Sequence, residues 1–162
     1  AVRGHTAMLG PHAEFDEIAS MRNFFLDKLQ ANGHAVEGRD IPMARLIAVA
    51  DTDGEAEQIA RRGAEWIVKA YKNESKGMAN PVKTIEVDGK VQAVDDIDRY
   101  LQDAIIWGTA ERVIDLLHRL EEEMYLDYLM CAPLSHSSFM MFTEKVMPHF
   151  QGTTAHPIRQ VV

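Results

Sequence analysis

The fold turns on YLDYLMCAPLSHSS, residues Tyr125 to Ser138. Tyr128 to Ala132 is a short, mostly apolar run, long enough for one buried strand. It stops at Ala132-Pro133-Leu134, and the polar cluster Ser135-His136-Ser137-Ser138 follows. A buried strand that ends in small and polar residues predicts something bound at its end. It also predicts partner strands elsewhere in the chain.

Working outward, strands and helices alternate. Thr6-Ala7-Met8-Leu9 is a short apolar run stopped by Gly10-Pro11. Phe15, Ile18, Phe25 and Leu29 recur near helical spacing and predict a helix over 13–32, ended by Gly33. Ala44 to Ala50 is apolar apart from Arg45 and predicts a second strand. In DTDGEAEQIARRGAEWIVKAYKN, Thr52 and Glu55 read as a capping box. Ala56, Ile59, Ala60, Gly63, Ile67, Ala70 and Tyr71 form one apolar helical face.

Residues 73–96 break the rhythm. KTIEVDGKVQAV predicts a hairpin around Asp88-Gly89, and DDIDRYLQDA predicts a short helix. The insert ends near 107, where Ile105-Ile106-Trp107 meets Gly108-Thr109. A helix then runs from Ala110 to Met124, and another from Ser137 to Val146 that Pro148 should end. The domain is expected to span 1–150, with a tail over 151–162. The order implies an α/β fold with a parallel sheet and right-handed crossovers. Only three good strands are visible, which leaves both sheet edges exposed and suggests half of something larger.

The chain has 162 residues, 17 Lys+Arg against 25 Asp+Glu, and a net charge of −8. That balance argues against nucleic acid and against anionic lipid as partners. No apolar run approaches a membrane span and no signal peptide is visible, so the expected location is cytoplasmic. The single Cys131 excludes an internal disulfide.

VADTDGEAEQIARRGAEWI, then WGTAERVIDLL, YLDYLMCAPLS and FTEKVMPHF, together resemble the C-terminal half of the bacterial-luciferase-like flavin-dependent monooxygenases. The resemblance runs from about Thr6 to Phe150. It implies the C-terminal half of a (β/α)8 TIM barrel, with Thr6–Leu9, Ala44–Ala50 and Tyr128–Ala132 as strands six to eight and the insert as a lid. It implies reduced FMN from a separate reductase, or F420 in one branch, and oxidation of a small organic substrate with O2. The residues it carries over as flavin or substrate contacts are Met8, Leu9, Gly10, Trp107, Gly108, Thr109, Ala132, Pro133 and Leu134. The family's catalytic histidine lies in the half not represented here, so no catalytic residue is assigned. A fragment inactive alone is expected, completed by an N-terminal half or by a homo-oligomer.

Each residue also carries a plainer reading. Gly108-Thr109 opens a helix and could hold an anion, but a cap by Thr109 explains it alone. His12, Asp51 and His136 follow three strand ends and could serve a metal-dependent hydrolase, against ordinary loop histidines. Cys131 reads as a buried structural cysteine. Trp66 reads as packing, and Trp107 as the better ligand candidate. Phe139-Met140-Met141-Phe142 suits either the core or a partner chain. A non-catalytic, self-assembling half-barrel remains the alternative to the enzyme.

Overall fold

A computed structural model describes residues 1–37, 39, 41–74, 84–87, 90–93, 95–124 and 128–150. The elements are α1 (Phe15–Ala31), β1 (Met43–Val49), α2 (Asp53–Glu74), β2 (Thr84–Val87), β3 (Lys90–Ala93), α3 (Asp96–Asp103), β4 (Ile105–Gly108), α4 (Ala110–Met124), β5 (Leu129–Pro133) and α5 (His136–Met141). A π-helical turn, Phe142–Val146, and a 3-10 turn, Met147–Phe150, extend α5.

The main sheet has three parallel strands in the order β4-β1-β5. β2 and β3 pair antiparallel as expected, with Val87 opposite Lys90; the expected turn residues Asp88 and Gly89 lie outside the described residues. Of the insert expected as a lid, residues 75–83, 88, 89 and 94 lie outside the described residues.

Alternate residues of a strand face opposite sides of its sheet. On one side Met43, Ile47, Val49 and Ile106 pack against Ile18 and Leu26 of α1, Val113 and Leu117 of α4, and Phe142 and Val146. On the other, Leu46, Ala48, Ile105 and Trp107 pack against Ala60, Ala64 and Ile67 of α2 and Tyr100 and Leu101 of α3. Both faces of β1 are therefore covered. The described residues therefore build a small parallel α/β sheet with a helical layer on each face, because each apolar face must be covered. The connection β1→β4 crosses on the α2/α3 face. The connection β4→β5 crosses back on the α4 face, as right-handed crossovers in opposite directions require.

The first predicted strand shrinks to one bridge, Leu9 to Met43. Ala44 N–H donates to Leu9 O, whereas Met43 N–H donates to Tyr128 O. Leu9 therefore lies on the β4 side of β1, and Gly10-Pro11 turn the chain away before pairing extends. Ile105–Gly108, grouped by sequence with the end of the insert, takes the rest of that edge as β4.

Local signals explain the helices. Thr52 Oγ1 accepts the Glu55 N–H at 3.2 Å, but the Glu55 carboxylate turns to the Thr52 hydroxyl and not to its backbone. Asp95 caps α3 by accepting the Ile97 N–H at 2.8 Å. Gly33 takes φ +74° just past α1, which suits a residue without Cβ. In α2, a Cβ on Gly63 would lie 2.7 Å from Leu134, so the glycine lets helix and loop touch. Pro148 does not stop the last helix. The chain widens into the π turn and tightens into a 3-10 turn whose second residue is Pro148, where a missing N–H is tolerated.

Two burial expectations fail. Trp66 is 73% exposed, because its position on α2 falls outside the Ala56-Ala60-Ala64-Ile67 stripe that meets the sheet. Cys131 is exposed because β5 is an edge strand whose middle three residues are all open to solvent. Protein packed on its other side still desolvates the thiolate and raises the thiol pKa to about 11.

Candidate functional site

The loops after β1 and β4 leave toward opposite faces of the sheet. In open α/β sheets, the crevice between two such strand ends is where ligands bind. Here Val49 pairs with Gly108, so Asp51-Thr52-Asp53 and Gly108-Thr109 flank one crevice.

Asp53 spans it. Its carboxylate accepts the Thr109 N–H at 3.0 Å and the Arg112 Nη1–H at 3.1 Å. The Thr109 amide first, and the Arg112 guanidinium second, hold the Asp53 pKa below the usual carboxylate range. The Arg112 guanidinium also lies 4.1 Å from the centre of the Trp107 ring. Gly108 has φ +145°, and a Cβ there would sit 2.6 Å from Arg112 Cδ. Glycine is thus required twice, by its backbone and by the arginine beside it.

Beside this pair, Lys145 of the π turn donates to Asp51 at 3.1 Å. The Glu111 pKa is lowered by its own amide, by the Thr109 hydroxyl and by Lys145. The crevice therefore holds carboxylates and cations already matched to one another. Glu111 and Asp53 are held ionised, which suits charge stabilisation better than proton donation near neutral pH.

The other flank is fastened by Ser138, which is fully buried. Its Oγ accepts the Val49 N–H at 3.1 Å, donates to Val49 O at 3.0 Å, and accepts from Ser135 Oγ at 2.9 Å. β5 pairs with β1 as far as Pro133, and Leu134 N–H still donates to Ile47 O. Ser138 continues that ladder for Val49. The Ser-His-Ser-Ser cluster is thus largely structural. Ser135 caps α5 by accepting the Ser138 N–H at 3.0 Å.

The nine residues expected to contact flavin or substrate do not converge. Gly108, Thr109 and Trp107 stand on one side of β1, and Ala132, Pro133 and Leu134 on the other. Leu9 pairs with Met43 at the opposite end of β1, so Met8, Leu9 and Gly10 lie roughly 20 Å from Gly108 at about 3.3 Å per residue. Trp107 is half-buried, donates Nε1–H to Leu101 O at 2.7 Å and packs on α3. Thr109 acts as the favoured cap, its Oγ1 accepting the Arg112 N–H at 3.4 Å, while its own amide donates to Asp53. Sequence reasoning passed over Asp53, Arg112 and Lys145, and read Ser138 as facing a ligand where it fastens the backbone of Val49.

The proposed metal triad does not assemble, and no group of three or more potential ligands forms among the described residues. Asp51 pairs with Lys145, and the His136 ring stacks on Phe139 at 6.4 Å. His12 is half-buried beside Tyr100, its pKa lowered by burial and then by the Arg45 charge.

Arg45 is the other unusual residue. It is fully buried on the central strand. Nη1 donates to Ala13 O at 2.7 Å, with longer contacts to Pro11 O and Ala104 O. Among the described residues Nε and Nη2 have no hydrogen-bond partner, and the guanidinium lies 4.5 Å from the Phe15 ring centre. Desolvation lowers its pKa to about 10.

From the crevice an open groove of about 970 Å³ runs along β4, between α3 on one side and α1 and α4 on the other. Among the described residues, no helix is long and apolar enough to cross a membrane.

No family model and no curated protein matches the chain. Solved structures do. The monooxygenase RslO1 from Streptomyces bottropensis superposes with a TM-score of 0.59 at 15% identity, over 92% of this chain and 43% of that one. The riboflavin lyase RcaE, solved with modified FMN and riboflavin, gives 0.64 at 18% identity, over 99% and 42%. At such identities the likeness shows a shared fold. The chain spans less than half the length of either structure.

Proposed function

We propose that this chain is part of a flavin-dependent monooxygenase that uses reduced flavin and O2 on a small organic substrate. The observation that carries the reading is the shared fold over nearly the whole chain. One structural neighbour is a monooxygenase and another is a riboflavin lyase solved with modified FMN. The resemblance of VADTDGEAEQIARRGAEWI and WGTAERVIDLL to the luciferase-like family agrees with it.

The described residues do not by themselves fit a flavin. The amide best placed for an anion is occupied by Asp53, one face of Trp107 is covered by Arg112, and Leu134 is packed on Gly63. No chemical step is therefore routed through the cofactor here. The reading places the rest of the flavin site on an N-terminal half or on a second copy, with the whole assembly in the cytoplasm. FMN is the favoured cofactor, with F420 as the alternative.

The test is a titration of FMN and riboflavin into the native polypeptide that carries this sequence. Saturable quenching of isoalloxazine fluorescence is expected, together with flavin-dependent O2 consumption. Absence of saturable binding by either flavin overturns the reading. Substrate oxidation by residues 1–162 alone would overturn its claim that this part is inactive.

A non-catalytic, self-assembling module is the second reading. Phe139, Met140 and Met147 are exposed together on the last helical block, and both ends of the sheet are edges. A well-folded monomer in sedimentation would count against it.

A further inference from the structure

We infer that the free edge of β4 is a docking site for a basic, extended peptide segment of a partner protein, which would add to the sheet as a fourth strand. The inference does not depend on the flavin reading.

Three observations carry it. The first is the backbone. Ala50 N–H donates to Gly108 O at 3.3 Å, so Ile106 and Gly108 direct their main-chain groups toward β1. By strand alternation, Ile105 and Trp107 direct theirs outward, and no described residue bonds them. These two are also the β4 residues that line the groove.

The second is the absence of guarding. Natural edge strands are blunted by proline, charge or bulges. β5 has Pro133 at an outward position, where the missing donor removes a template for pairing. β4 has neither a proline nor a charge in Ile105–Gly108. Of the two described edges, β4 is the one whose own residues carry no such guard.

The third is charge. The groove walls hold six carboxylates, on Glu14, Asp16, Asp103, Glu111, Asp115 and Glu123, and two arginines, Arg112 and Arg119. Glu14 lies 3.6 Å from Arg99, Lys145 acts on Glu111, and Arg112 is held by Asp53, so the negative excess sits chiefly on Asp16, Asp115 and Glu123 against Arg119. Phe15 and Leu116 line the same groove. An added strand that alternates apolar and basic residues would place one set against these two side chains and the other against the carboxylates. A second copy of the chain, at net charge −8, is a poorer match than a basic partner.

The test uses the full 162-residue chain and a short, end-blocked peptide alternating valine and lysine, read by calorimetry and by amide hydrogen exchange. Exchange at Ile105 and Trp107 is expected to slow by about tenfold or more on saturation. Replacing lysine by glutamate in the peptide should weaken binding by about tenfold or more at low salt. N-methylation of the peptide amides that face β4 should abolish the protection, with no change to the protein. Equal affinity for the lysine and glutamate peptides overturns the proposal, and so does protection that survives N-methylation. Slow exchange at both amides in the free chain shows the edge already covered and overturns it too. Protection that grows with protein concentration alone assigns the edge to a second copy, with the same consequence.

Discussion

Arg45 and Arg112 each hold a guanidinium over an aromatic ring, 4.5 Å from Phe15 and 4.1 Å from Trp107. Their surroundings are otherwise opposite. Arg112 is half exposed and bonded to the Asp53 carboxylate. Arg45 is fully buried and, among the described residues, has only carbonyl acceptors and leaves Nε and Nη2 unbonded. An exposed pair is screened by water and salt and contributes little to stability. A buried cation without a carboxylate carries a desolvation cost that three carbonyls and a ring offset in part. The two arginines thus separate what holds this fold from what arranges its surface.

The strongest way to break the comparison is at Arg45. Arg45→Ala should destabilise by about 3 kcal/mol, through a core cavity and carbonyls left without a donor. Arg45→Met keeps most of the volume and removes the buried charge, so it should stay within about 1 kcal/mol of the parent. Urea unfolding of both variants measures this. If methionine costs as much as alanine, the guanidinium is held by its hydrogen bonds more than it is penalised by burial.

Gly108→Ala comes next. The new Cβ would force φ +145° on an alanine and push into Arg112 Cδ. A loss of about 2 kcal/mol is expected from the backbone conformation. Pairing it with Arg112→Ala sharpens the point. If the arginine clash dominates, the double variant recovers most of the loss. If the backbone dominates, it recovers little.

These two positions differ in how legible they were. Arg45 stood out at once, as the single charge in an apolar strand. Its geometry did not, because the acceptors on Pro11, Ala13 and Ala104 are brought together only by the tertiary fold. The strands Met43–Val49 and Leu129–Pro133, the hairpin and all five helices followed from periodicity and capping residues, which act over a few residues. The place of Ile105–Gly108 in the sheet did not follow, because a four-residue apolar run carries no record of which neighbour it joins. The same limit hid the site. Asp53 was visible as a helix start, but its reach to Thr109 and Arg112 crosses more than fifty residues of chain. Ser138 looked like part of a ligand-facing cluster because hydroxyls look alike until a buried backbone claims one.

A smaller effect tests whether the Arg45 charge is felt nearby. His12 has its pKa lowered, mainly by burial and secondarily by Arg45. The unfolded chain therefore takes up a proton near pH 6.5 that the folded chain still refuses. Stability should fall as pH drops from about 6.5 toward the folded pKa. In Arg45→Met the smaller cause is gone and the larger remains, so the His12 pKa should rise part of the way. An imidazole titration by NMR reads it directly. An unchanged midpoint would mean that Arg45 is electrostatically silent at His12.

The smallest effect is expected where the charges are best paired. Asp53 is held ionised by the Thr109 amide and Arg112, so its folded pKa lies below the unfolded value of 3.8. A depressed carboxylate adds stability above its unfolded pKa, and that stability is lost as pH falls through the folded value. The parent should therefore lose stability below about pH 4 with a slope that Asp53→Asn removes. At pH 7, where the ionised carboxylate's contribution is fully present, the variant should lose the same small increment in urea midpoint and no more, since the asparagine oxygen can still accept the Thr109 N–H. Added salt should shrink the difference further for this exposed pair, while leaving the Arg45 variants unmoved. If Asp53→Asn keeps the parent's acid slope, the carboxylate does not bridge β1 and β4 in solution. The crevice would then have a free amide at Thr109, and the obstacle to an anion at that strand end would be gone.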